Sequence, residues 1–103
     1  MRVRFTLPAY ADLAEILDYI GRWSPQGAIR VNQRIRTLIE LLLEHPHLGR
    51  PTDDPTIRRM PTSPYPYLVF YEVTGDEVII HAVRHGARDP ASMPGEGPSR
   101  SEP

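Results

Sequence analysis

Apolar residues fall along this chain in two rhythms, and each rhythm predicts an element. Met1 to Thr6 sets Val3 and Phe5 against Arg2, Arg4 and Thr6, a period of two that predicts a short edge strand with one buried face. From Pro8 the spacing lengthens. Ala9, Leu13, Ile16, Leu17, Ile20 and Trp23 recur at three- and four-residue steps, with Asp12, Glu15, Asp18 and Arg22 between them. That is an amphipathic helix, entered through Pro8, whose lack of an N–H is harmless in a first turn. Ser24 and Pro25 restart a helix as N-cap and first helical residue. Its stripe is Ala28, Val31, Ile35, Leu38 and Leu42, widened by Ile39 and Leu43, and Glu44-His45-Pro46 ends it because a residue before proline is driven out of helical space. A break this short predicts an antiparallel helical hairpin.

The helical rhythm then stops. His47 to Pro55 is a polar, turn-rich connector, and Thr56 to Pro61 a short strand. Tyr65 to Pro90, YPYLVFYEVTGDEVIIHAVRHGARDP, is rich in β-branched and aromatic residues on both sides of a Thr-Gly-Asp-Glu corner, the pattern of a β-hairpin. A two-residue loop at Gly75-Asp76 sets Val73 against Val78, Tyr71 against Ile80 and Val69 against Ala82 on one side. Leu68, Phe70, Ile79 and Val83 then share the other. A pair apolar on both faces belongs in the middle of a sheet, with helices on one face and a partner on the other. The sequence predicts an α+β fold: strand-helix-helix-strand-strand-strand, the helical hairpin packed on a mostly antiparallel four-stranded sheet. Residues 1–90 make one domain, and 91–103, rich in Pro, Gly and Ser, are expected to be a disordered tail.

Composition narrows the chemistry. The 103 residues contain no cysteine, which removes disulfides and thiolate zinc sites and makes a cytoplasmic setting the expectation. Neither a secretory signal nor a membrane span is expected. Net charge is −1, which argues against indiscriminate wrapping of nucleic acid. All twelve basic residues are arginine. Any reaction here must do without a lysine.

Taken together, "AxxDLxxIxxYI", a "SPxxAxxxxxxI" helix ending in "HPxLGRP", "RRMP…YPYLVFYEV" and "VRHGARDP" resemble, in that order, the ParE/RelE superfamily of toxins from bacterial type II toxin–antitoxin modules. The resemblance covers residues 1–90. It implies one scaffold with two mechanisms. RelE-like members are ribosome-dependent mRNA endonucleases that hold the scissile phosphate with a strand Arg, nearby lysines, an Arg after the last strand and a C-terminal Tyr. ParE-like members bind and poison DNA gyrase. Alignment puts Leu68 where the strand Arg is expected, supplies no lysine and no Tyr after Tyr71, and keeps only Arg88. Phosphoryl transfer needs positive charge against developing oxyanions, which Leu68 and Phe70 do not supply.

The resemblance therefore points to the ParE branch: a gyrase-inhibiting toxin neutralised by a cognate ParD-like antitoxin, with no catalytic residues, no cofactor, no metal and no membrane, and DNA met only through the antitoxin. Two alternatives stay open, an mRNA endonuclease and a non-toxic, antitoxin-binding co-repressor subunit. In a nuclease, His85 and Arg88 would be the acid–base and phosphate pair, though a structural role leads. His81 and His85 have an H-x-x-x-H spacing but on a strand stand roughly 13 Å apart at about 3.3 Å per residue, so zinc is not expected. The expected antitoxin- or target-binding surface is the outer hairpin face, Leu68, Phe70, Ile79 and Val83, rimmed by Arg58, Arg59, Arg84, His85 and Arg88, with Phe70 as anchor.

Overall fold

The computed structural model describes residues 1–86 and Pro94. Arg88 and, apart from Pro94, the expected tail lie outside them. Among the described residues the order is β1 (Arg2–Phe5), α1 (Leu7–Trp23), α2 (Pro25–Glu44), β2 (Arg50–Pro51), β3 (Arg58–Pro61), β4 (Tyr67–Thr74) and β5 (Glu77–His85). The strands form one sheet in the order β1-β5-β4-β3-β2, antiparallel except where β1 runs parallel to β5. The expected four strands are thus joined by a fifth. Its two residues, inside the stretch read as a connector, are too short to show any periodicity, and they pair with Arg58 and Arg59.

Both helices begin on side-chain caps. Thr6 Oγ1 accepts from Ala9 N at 3.2 Å, and Ser24 Oγ accepts from Gly27 N at 2.9 Å, so in each case a hydroxyl takes up an amide that the first turn leaves without a partner. The helices cover one sheet face. Ala9 and Leu13 of α1 and Val31, Ile35, Leu38, Ile39 and Leu42 of α2 form one core with Val69 and Tyr71 of β4 and Val78, Ile80 and Val83 of β5. Trp23 departs from expectation, for it is 78% exposed. Three residues beyond Ile20, it is turned by about 60° off the buried line, onto the flank of the helix.

The hairpin loop is the expected Gly75-Asp76. Thr74 pairs with Glu77, and Gly75 has φ +48° while no non-glycine residue among those described has positive φ, the sign pattern of a type II′ turn. Val73 opposes Val78 and Tyr71 opposes Ile80, as predicted, but the register then slips, with Phe70 opposing Ala82 and Val69 opposing Val83. His81 is the extra residue of a β-bulge. The bulge resets the alternation, so Val83, expected outside with Leu68 and Phe70, is 2% exposed in the helix-side core, and Ala82 takes the outer position.

β1 stops short of the bulge, leaving the far half of β5 without a strand neighbour on that side. Helix α1 supplies the bonds instead. Thr6 N donates to Ile80 O at 3.0 Å, Thr6 Oγ1 donates to His81 O at 3.5 Å, and Val83 N donates to Asp12 Oδ2 at 3.1 Å. The start of α1 thereby seals an edge that would otherwise expose backbone polar groups.

Candidate functional site

The sheet face away from the helices is where a binding or catalytic surface was expected, and its register fixes who shares it. Leu68, Phe70 and Glu72 of β4 alternate with Val69, Tyr71 and Val73 of the core face, and Arg59 of β3 stands opposite Phe70. At its centre lies a second apolar cluster of Ile57, Phe70 and Ala82, with Leu68 packed on it. Phe70 is on the expected face but has no exposed surface. A residue already surrounded cannot serve as the open anchor that the pattern suggested. Ile79 is 7% exposed, and Leu68 is half-buried.

Arg58 also moves. It opposes Tyr71 and so sits on the helix side, where Nη1 donates to Gly49 O at 2.6 Å and to His47 O at 3.2 Å. It ties the connector to β3 and is not a rim cation of the outer face. The connector is held from a second side by Tyr71, whose buried hydroxyl accepts from Gly49 N and donates to Pro46 O, both at 2.8 Å. Burial pushes the Tyr71 phenol above its ordinary value, against the smaller opposing effects of the Gly49 bond and Arg58.

One polar pair lies on the outer face. His81 Nε2 lies 2.8 Å from Glu72 Oε1, both side chains partly exposed. At the opposite end of β5, Arg84 pairs with Leu68 across the ladder, yet its Nε lies 3.6 Å from Asp12 Oδ2 on α1. That separation is an ion pair and not a hydrogen bond, and the buried Nε has no hydrogen-bond partner. His85, expected on the outer rim and as a candidate acid–base residue, instead opposes Tyr67 on the helix-side face and lies edge-on to it with ring centres 5.5 Å apart. Its companion Arg88 is outside the described residues. Among the described residues no three His, Cys, Asp or Glu side chains are grouped to hold a metal, and no helix is long and apolar enough to cross a membrane.

The sequence reading passed over Asp12, Glu72 and the Tyr71 hydroxyl. Glu72 and His81 carried a usable signal: each is a lone polar residue inside an apolar arm of the hairpin. Asp12 carried none, because its partners Val83 and Arg84 come from 71 and 72 residues further along.

The site is therefore an open sheet face with an apolar centre, a Glu–His pair and arginines at its margins. Comparison with known proteins places the chain in a family. The family model for the ParE toxin of type II toxin–antitoxin system, parDE, matches residues 3–90. Toxin RelE2 of Caulobacter vibrioides is 40% identical over 87 residues, 84% of this chain and 97% of that protein. A solved structure described as the chromosomal ParDE TA system from P. aeruginosa superposes with a TM-score of 0.72 at 26% identity, covering 82% of this chain and 95% of that one. Fold, sequence and the span of the match agree that the chain belongs to the ParE toxin family of type II toxin–antitoxin systems.

Proposed function

We propose that this toxin acts by binding DNA gyrase and is held silent by a cognate ParD-like antitoxin. The observation that carries the reading is the centre of the open sheet face. Leu68, where a nuclease of this superfamily would present a cation, packs on Ile57, Phe70 and Ala82, and the nearest arginine across the ladder, Arg84, reaches toward Asp12. A phosphodiester entering there meets hydrocarbon where developing negative charge needs donors. The family's parDE description and the ParDE structural neighbour support the same branch.

The name of the Caulobacter relative, RelE2, favours a second reading as an mRNA endonuclease. The two readings part in the cell. Induced without antitoxin, a gyrase poison gives filamentation and a DNA-damage response while protein synthesis continues; an mRNA endonuclease stops protein synthesis first and leaves DNA intact. Filamentation with DNA breaks is the expected result, and rapid translation arrest without them would overturn it.

A further inference from the structure

The flank of α1 carries a second surface that the sheet face does not explain. Asp12, Glu15, Ile16, Tyr19 and Trp23 fall at three- and four-residue steps and so form one stripe along the helix, about 16 Å from end to end. At its N-terminal end Asp12, Glu15 and Ile16 face Val83, Arg84 and His85 across a half-open cleft of about 50 Å³. Further along, Tyr19 is 59% and Trp23 78% exposed. Tyr19 also lies close enough to Tyr67 to act on its phenol, which burial first and Tyr19 second push above the ordinary value. The groove between α1 and the sheet end is thus acidic at one end and aromatic at the other.

Charge decides what fits. Asp12 is already committed, to the Val83 amide and to Arg84. Glu15 is exposed and is not the carboxylate that Arg84 pairs with. Among the described residues the cleft sets two carboxylates beside one guanidinium and the His85 imidazole, and Glu15 is the carboxylate that Arg84 does not engage. Exposed aromatics one turn apart beside an exposed carboxylate are the features of an interface anchor with a charged neighbour.

We propose that this groove is a docking site for a basic amphipathic helix of a partner protein. An Arg or Lys of that helix enters the cleft beside Glu15, and apolar residues one to two turns away cover Tyr19 and Trp23. A helix laid along α1 presents side chains at the same 5.4 Å repeat as the stripe, which is why a helical occupant matches it. The assignment does not depend on gyrase being the target.

The test uses the full chain and a display library of amphipathic helical peptides of about 20 residues, with cation positions randomised. Enriched peptides are expected to carry an Arg or Lys one or two turns from paired apolar residues. Glu15→Arg and Trp23→Ala should each weaken them about thirty-fold, while Leu41→Ala, on exposed surface of α2, leaves binding unchanged. Circular dichroism and melting confirm that each variant is folded. The proposal fails if no peptide is enriched, if the winners are acidic, or if they bind the Glu15 and Trp23 variants as well as the original. It also fails if sedimentation shows a dimer of the chain that Trp23→Ala dissolves, since the occupant is then a second copy.

Discussion

Tyr71 shows how much of this fold hangs on single buried polar atoms. Its hydroxyl satisfies Gly49 N and Pro46 O at once, and Tyr71→Phe would strand the buried Gly49 amide and leave the part-buried Pro46 carbonyl without this donor. At about 1–3 kcal/mol for each unsatisfied buried group, partly offset by water entry, we expect a loss near 2 kcal/mol in chemical denaturation. Gly49 leaves no alternative, because a Cβ there would stand 2.6 Å from Tyr71 Oη and 2.9 Å from the Arg59 carbonyl. Gly49→Ala should destabilise comparably through backbone displacement. Ionisation adds a pH signature: a phenol raised on folding contributes stability in full below its unfolded value of 10.0, and that contribution is lost as pH climbs through the higher folded value. Tyr67 shifts in the same direction. Stability should therefore fall above about pH 10, and less steeply in Tyr71→Phe, as pH-dependent melting would show. Periodicity marks Tyr71 as core, but nothing local reveals that its hydroxyl binds a loop more than twenty residues earlier.

At the scale of elements, the sequence was most readable where one residue type has one job. Ser24-Pro25 marks the start of α2 and Gly75-Asp76 the turn of the hairpin, and both stand where capping and positive-φ chemistry put them. Ser24→Ala should lower stability by about 1 kcal/mol through the lost cap. The bulge at His81 was not readable. Apolar residues continue through it on both faces, so a strict alternation and a slipped one fit the same letters, and the choice is made by β1 ending early and by Asp12 and Thr6 taking over the edge. Val83 decides between the registers. An aspartate there is tolerated if the side chain points outward, but with Val83 in the helix-side core Val83→Asp should abolish cooperative unfolding, as Leu38→Asp should. Phe70→Ala, which an exposed anchor would survive, should cost about 3–5 kcal/mol because the ring is fully buried. Thermal melts of the three variants would check this, and a native-like melt of Val83→Asp would return the register to the unbulged one.

At the scale of the whole molecule, family and fold were legible together, since the matched span runs from residue 3 to 90 and every motif that carried the resemblance lies within it. The target is another matter. One α+β scaffold serves both branches, so function rests on what a few side chains present on the sheet face and not on the fold. Leu68 was visible in the sequence as a missing cation; its packing on Ile57, Phe70 and Ala82 is what turns that absence into an apolar surface. The decisive measurement uses purified toxin with gyrase, ATP and plasmid DNA, beside programmed ribosomes under the same conditions. The expected result is inhibited supercoiling with accumulation of cleaved DNA, reversed by the cognate antitoxin, and intact mRNA. Unimpaired gyrase together with mRNA cut in the ribosomal A site would contradict it.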